Sequence, residues 1–150
     1  MDEPAVQKRR FLAIDDNSDS AELVARVAAK CGYEARWLAD PRECLKLLRE
    51  WLPDVITLDL CMPEEDGLTL VGALTESRFT GQLVIVSGQD GWIRKSARRL
   101  ATARGLNVAE DFRKPVDIRA FGQFLTRLNA PSAPETEATR TQLTAEPGPV

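Results

Sequence analysis

One short stretch constrains the fold of this chain more than any other, because it is an apolar run that ends in a single carboxylate. Residues 55–59 read Val-Ile-Thr-Leu-Asp, and the chain then turns through Met62-Pro63 and Asp66-Gly67. A run of this length and composition, stopped by Pro and Gly, predicts a buried strand of a parallel sheet. A charge is costly inside such a run, so Asp59 must lie at a wet or paired strand end. Open α/β sheets bind their ligands at that end, which makes Asp59 the first candidate functional residue.

Four further apolar runs alternate with segments of helical periodicity. The predicted strands are 11–14, 33–38, 55–59, 82–86 and 107–113, and the predicted helices begin near residues 18, 41, 67, 92 and 117. Strands and helices that alternate through short links favour a parallel sheet covered on both faces. The sequence therefore predicts an α/β fold, a doubly wound five-stranded parallel sheet with five helices.

The composition excludes several classes of function. The chain has no histidine and only three cysteines among 150 residues, so zinc sites and histidine-based catalysis are effectively excluded. Its formal net charge of −3 provides no broad basic field for nucleic acid. No apolar stretch reaches membrane-spanning length, and the N-terminus lacks the pattern of a signal peptide. We expect a cytoplasmic protein without direct nucleic-acid binding or membrane insertion, in which Cys31 and Cys44 pack in the core.

The composition also divides the chain into three parts. Residues 1–8 are polar, and we expect them to be flexible. All of the predicted strands and helices lie within 9–129. Residues 130–150 are rich in Pro, Ala, Thr and Glu and contain too few large aliphatic residues to fold by themselves, so we expect a disordered tail.

Polar residues stand at the ends of four predicted strands. Asp15 and Asp16 follow the first strand, Asp59 ends the third, Ser87 follows the fourth and Lys114 follows the fifth. Because the carboxyl ends of parallel strands open on one edge, we expect these groups to converge on one pocket. Neighbouring carboxylates repel unless a cation joins them, and a set of oxygen ligands suits Mg²⁺.

These groups together predict phosphoryl chemistry. With the metal bound, a carboxylate oxygen of Asp59 can attack an incoming phosphoryl group and form an aspartyl phosphate. Mg²⁺ and Lys114 would offset charge on the transferring oxygens, and Ser87 could donate a hydrogen bond. Each residue taken alone is more simply a cap, a turn or a solvated loop residue. Their occurrence at the correct strand ends, in the correct order, favours the functional interpretation.

The chain resembles a response-regulator receiver domain of two-component signalling, of the stand-alone type, over about residues 9–129. Four motifs carry the resemblance: Asp15-Asp16, Asp59-x-x-Met62-Pro63-x-x-Asp66-Gly67, Ser87 and Lys114-Pro115. The resemblance implies a flavodoxin-like sheet in the strand order 2-1-3-4-5, with Pro63, Gly67 and Pro115 as structural residues of the site.

The resemblance also implies a role in a phosphorelay. Asp59 would accept a phosphoryl group from a sensor histidine kinase or a histidine phosphotransfer protein, and the receiver would then bind a downstream target protein. Asp16, Asp59 and the backbone carbonyl of Cys61 would bind Mg²⁺ directly, and Asp15 directly or through water. Ser87 would follow the phosphoryl group and Lys114 would pair with it. Such a protein is not an enzyme beyond weak autodephosphorylation.

Two features depart from the family pattern. The family usually carries Tyr or Phe three residues before the lysine, whereas this chain has Asp111, and strand alternation predicts that Phe112 faces the core instead. We therefore expect a different output surface or a different conformational change. The segment from Ser87 to Lys114 is also longer than usual. It is rich in basic residues that form either a solvated helix face or a docking stripe for an acidic partner: Arg94, Lys95, Arg98, Arg99 and Arg104.

Three further expectations concern the chemistry. The resemblance implies that Cys61 and Gln89 stand where the family controls access of hydrolytic water. Neither is a carboxylate or an obvious base, so self-dephosphorylation should be slow. A hydrolase of the haloacid dehalogenase kind would need a second Asp where Cys61 stands, which disfavours that reaction. The alternative that stays open is a receiver-like binding module that signals without phosphorylation.

Overall fold

Five strands and five helices alternate along the chain. The computed structural model describes residues 8–59, 64–88 and 91–130, without the side chains of 64–68, 87 and 91–94. The strands are β1 (Arg10–Ile14), β2 (Glu34–Leu38), β3 (Val55–Asp59), β4 (Gln82–Ser87) and β5 (Asn107–Arg113). The helices are α1 (Ser18–Lys30), α2 (Cys44–Trp51), α3 (Glu64–Glu76), α4 (Gly91–Ala103) and α5 (Ile118–Asn129), with a short 3₁₀ turn, Pro41–Glu43, before α2.

The strands form one parallel sheet in the order β2-β1-β3-β4-β5, and the predicted topology is confirmed. All strands run in the same direction because each connection returns through a helix. Their carboxyl ends therefore lie along one edge, where Ile14, Asp59, Ser87 and Arg113 are the last strand residues. This edge is the place where an open α/β sheet binds ligands.

Strand alternation divides the core into two layers, one on each face of the sheet. On one face, Leu12 and Ile56 pack with residues of α2, α3 and α4 such as Leu74. On the other face, Phe11 packs with residues of α1 and α5 such as Phe121. All five residues of β3 are buried, as its continuous apolar run predicted, whereas β2 and β5, at the two edges of the sheet, are largely half-buried or exposed.

Local signals located most of the helix starts correctly. The predicted start of α1 near residue 18 is confirmed, and the Asn17 side chain accepts a hydrogen bond from the Ser20 N–H and caps the helix. The predicted turn at Asp66-Gly67 is wrong, since α3 already begins at Glu64 and includes both residues. Three carboxylates open this helix, Glu64, Glu65 and Asp66, and the helix dipole favours negative charge at that end.

The structure tests the predictions for two of the cysteines but does not describe either terminus. Cys44 is fully buried and Cys31 is partly buried against the core, as expected. Within those ranges, no helix is both long enough and apolar enough to cross a membrane. The predictions for residues 1–7 and for 131–150, as well as those for Cys61 and Pro63, lie outside the described residues.

Candidate functional site

Three carboxylates meet at the carboxyl edge of the sheet. One carboxylate oxygen from each of Asp15, Asp16 and Asp59 lies within 4.8 Å of the other two. Asp59 ends β3 at the centre of the sheet, while Asp15 and Asp16 follow the neighbouring strand β1. Asp15 and Asp59 are buried and Asp16 is exposed. The convergence of carboxylates expected from the strand ends is therefore present in the structure.

The loop after β1 fixes the orientation of Asp15. The Asp15 N–H donates to the Leu38 carbonyl at 3.1 Å, which holds the residue beside the end of β2. One carboxylate oxygen, Oδ1, accepts a hydrogen bond from the Asn17 N–H at 2.9 Å. The other oxygen, Oδ2, lies 3.5 Å from Lys114 Nζ. Asp15 thus has one oxygen engaged by its own loop and one directed towards the shared site.

Lys114 follows β5, an edge strand of the sheet, and its ammonium group lies beside two of the carboxylates. Its Nζ lies 2.8 Å from Asp59 Oδ2, and the Asp59 side chain is only 4% exposed. An ammonium at this distance offsets the charge of a carboxylate that would be costly to bury alone. The peptide bond between Lys114 and Pro115 is cis.

The surroundings of Asp15 disfavour its ionised form. The pKa of Asp15 is raised from 3.8 to about 6, chiefly by burial, and the hydrogen bond and negative charge of Asp59 raise it further. The hydrogen bond from the Asn17 N–H and the positive charge of Lys114 lower it, but by less. Because this pKa is higher in the fold than its ordinary value, ionised Asp15 destabilises the folded protein. The penalty is complete above a pH of about 6 and disappears as the pH falls below 3.8. A cation bound among the carboxylates would remove the same penalty.

The charged groups lie in a small pocket with mostly apolar walls. Its volume is about 260 Å³, and its lining includes Asp15, Asp59 and Lys114. Leu23 of α1 and Ile118 of α5 also line it, and their exposed fractions are 51% and 43%. This volume lies below the range of roughly 300–1,000 Å³ typical of drug-sized ligands. The pocket therefore suits a small group such as a phosphoryl group.

The other predicted site residues have different positions. Ser87 is the last residue of β4 and is paired with Arg113 of β5, but its side chain lies outside the described residues, as do Cys61 and Pro63. Pro115 lines the pocket. Gly67 lies within α3.

Sequence reasoning missed Thr57, which is buried and lines the pocket. Thr57 precedes Asp59 by two residues, and such residues share a face of the sheet, so the strand periodicity could have identified it.

Asp111, the atypical residue of β5, has a partner on α4. Its Oδ2 accepts a hydrogen bond from Arg98 Nη1 at 2.7 Å. Phe112 lies on the opposite face, as predicted, with its ring centroid 5.3 Å from that of Phe121 and 5.4 Å from that of Phe124. The Phe112 ring therefore packs against α5, whereas the Asp111 carboxylate pairs with α4.

Comparisons with known proteins agree with this geometry. Residues 11–120 match the family model of the response regulator receiver domain. The crystal structure of a response regulator from Colwellia psychrerythraea is similar, with a TM-score of 0.74, 31% sequence identity and coverage of 82% of this chain and 98% of that one.

Two curated relatives are much longer proteins. A protein-glutamate methylesterase/protein-glutamine glutaminase from Archaeoglobus fulgidus is 31% identical over 123 residues, which are 79% of this chain and 34% of that protein. The virulence transcriptional regulatory protein PhoP from Salmonella choleraesuis is 29% identical over 83 residues, which are 55% of this chain and 37% of that protein. The chain spans about a third of the length of each.

The family match covers most of the chain, and the strand order and the similar crystal structure agree with it. The chain therefore belongs to the response regulator receiver domain family of two-component signalling.

Proposed function

We propose that this protein is a phosphoacceptor in a two-component phosphorelay and that Asp59 receives the phosphoryl group. One observation supports the proposal above the others: Lys114 Nζ lies 2.8 Å from Asp59 Oδ2 in a pocket that Asp15 also lines. The pocket thereby combines a buried nucleophilic carboxylate with a cation that can offset charge on incoming oxygens. The partner supplies the phosphohistidine, because this chain contains no histidine.

The carboxylate cluster fits Mg²⁺, which prefers hard oxygen ligands and usually retains several waters. Asp15, Asp16 and Asp59 would hold the ion, together with the backbone carbonyl of Cys61 that the family resemblance implies. When bound, Mg²⁺ would neutralise negative charge on the phosphoryl oxygens. Burial and the neighbouring Asp59 both raise the pKa of Asp15, and a bound cation would favour its ionised form, which supports this assignment.

The transfer itself exchanges one bond for another. An oxygen of the Asp59 carboxylate attacks the phosphorus of the partner's phosphohistidine, and a P–O bond forms as the P–N bond breaks. The imidazole nitrogen leaves with the electron pair of the broken bond. Lys114 offsets charge on the transferring oxygens, and Ser87 would donate a hydrogen bond to one of them, as the family resemblance implies.

The mouth of the pocket offers an apolar surface to the phosphodonor. Leu23 and Ile118 are about half-exposed and line the same pocket as Asp59. A sensor histidine kinase or a histidine phosphotransfer protein that brings its phosphohistidine to Asp59 would bury both side chains. The phosphorylated receiver then acts by binding a downstream target protein.

Intact mass spectrometry tests the acceptor chemistry directly. The full chain is incubated with a small acyl phosphate and Mg²⁺, beside Asp59→Asn and a matched control, Asp40→Asn, at an exposed carboxylate paired with Arg42. We expect one added phosphoryl group in wild type and in Asp40→Asn, and none in Asp59→Asn or in the presence of a chelator.

Beryllofluoride binding gives a second measurement, because some receivers do not react with small donors. Failure of a correctly folded wild type both to form the adduct and to bind beryllofluoride with Mg²⁺ would reject the proposal. The alternative, a receiver-like module that signals without phosphorylation, would then account for the chain.

A further inference from the structure

An ion pair connects α4 to the edge strand β5. Arg98 Nη1 donates to Asp111 Oδ2 at 2.7 Å, and the two side chains are 43% and 26% exposed. Asp111 stands opposite Ile85 of β4 in the sheet register. The pair is therefore a polar tether between a surface helix and the strand beneath it, accessible to water on one side.

The charges of α4 explain why this tether matters to the helix. Residues 91–103 contain no Asp or Glu, so nothing within the helix offsets its cations. Lys95 and Arg99 are exposed, lie four residues apart and repel each other. In the part of the chain that the structure describes, neither of these two has a carboxylate partner. The Asp111 carboxylate supplies such a partner to Arg98 from outside the helix.

Strand β5, which carries Asp111, is followed by the lysine that pairs with the phosphoacceptor. Lys114, which pairs with Asp59 at 2.8 Å, follows the last residue of β5 and lies three residues after Asp111. At roughly 3.3 Å per residue, the two positions are about 10 Å apart along one extended segment. Asp111, Phe112 and Arg113 are all paired with β4, so they form one continuous run of the sheet that ends next to Lys114.

We propose that the Arg98–Asp111 ion pair is a latch that holds α4 on β5 in the phosphoryl-free protein and opens when Asp59 is phosphorylated. This proposal rests on the proposed function. Phosphoryl oxygens on Asp59 lie beyond the present carboxylate, so Lys114 changes partner and displaces the end of β5. An ion pair is lost beyond about 4 Å, so a small displacement of Asp111 is enough to release Arg98.

Hydrogen exchange measured by mass spectrometry on peptides of α4 tests the tether without any ligand. We expect about two- to fivefold faster exchange in Asp111→Asn and in Arg98→Gln, the effect of losing one partly exposed pair. Arg99→Gln is the matched control and should exchange no faster than wild type, because it removes only the repulsion with Lys95. The reversed pair, Arg98→Asp with Asp111→Arg, should restore slow exchange. Equal exchange in Asp111→Asn and Arg99→Gln would refute the tether.

Beryllofluoride with Mg²⁺ tests the opening step, and ¹⁹F NMR reports separately whether it binds. Saturation should raise exchange in α4 of wild type to the level of Asp111→Asn and produce no further rise in that variant. A bound ¹⁹F signal with unchanged or slower exchange in wild-type α4 would overturn the latch and leave the proposed function standing. If wild type neither binds beryllofluoride nor accepts a phosphoryl group, the proposed function fails, and the opening step fails with it.

Discussion

Helices α4 and α5 lie beside the same edge strand, yet different forces hold them. Phe121 and Leu125 of α5 are fully buried, and Tyr33 Oη donates to the Leu125 carbonyl at 2.9 Å. The Asn129 side chain also donates to the Cys31 carbonyl at 3.1 Å. Among the described residues of α4, Ala101 is the buried one, and the helix is tied to β5 by the Arg98–Asp111 pair.

This difference indicates which helix can respond to chemistry at Asp59. Displacing α5 would expose large apolar side chains and break buried hydrogen bonds, which together cost several kcal/mol. For the side chains of α4 that the structure describes, displacement breaks a partly exposed ion pair, worth about 0.2–1 kcal/mol, and removes a smaller apolar contact. We therefore infer that a small electrostatic change in the pocket moves α4 more readily than α5.

The largest expected effect comes from truncating the buried anchors of the two helices. Leu125→Ala should lower the free energy of unfolding by about 2–5 kcal/mol, because it leaves a cavity in the core. Leu100→Ala in α4, where the side chain is only partly buried, should cost about 1 kcal/mol. Urea unfolding measures both values, and equal losses would break the comparison between the helices.

Like the cations of α4, the Asp15 carboxylate carries a charge that the fold does not fully stabilise. Asp15→Asn should raise the free energy of unfolding by on the order of 2 kcal/mol in chelator at about pH 8, because it removes a carboxylate whose pKa the fold raises. The gain should shrink as the pH falls from about 6 and disappear well below 3.8, where Asp15 is protonated in both the folded and the unfolded state. Urea unfolding across this range is the measurement, and a gain that grows at low pH would contradict it.

Removing one polar contact of each helix should change the free energy of unfolding by a smaller amount. Tyr33→Phe removes the donor to Leu125 and should cost about 1 kcal/mol, since the hydrogen bond is buried. Asp111→Asn should cost about 0.5 kcal/mol or less in the same urea experiment, because its ion pair is partly exposed. A larger loss in Asp111→Asn than in Tyr33→Phe would reverse this ranking and show that α4 is held more tightly than we infer.

The smallest effects are expected at the two positions where the family resemblance implies control over hydrolytic water. Cys61 and Gln89 provide no carboxylate or strong base, so the acyl phosphate on Asp59 should decay slowly and keep the latch open. Cys61→Ala and Gln89→Ala should each change the half-life by less than about twofold. Phosphoprotein decay followed by intact mass is the measurement, and a wild-type half-life of seconds would contradict the expectation.

Much of the fold was readable from the sequence because its signals are local. The apolar run of β3, the alternation of strands with helices and the cap at Asn17 each depend on residues close together in the chain. The meeting of Asp15, Asp16 and Asp59 also followed, since parallel strands bring their carboxyl ends to one edge. The start of α3 did not follow, because Pro and Gly predicted a turn where three carboxylates favour a helix.

The sequence by itself determined the sheet, the edge that carries the chemistry and the residue types that stand there. Only the tertiary structure decided that Lys114 lies 2.8 Å from Asp59, that burial raises the pKa of Asp15 and that Asp111 pairs with Arg98. Each of these depends on distances and burial between segments that no local pattern encodes. Periodicity states which way a strand residue faces, but the packing of another element decides what it meets there.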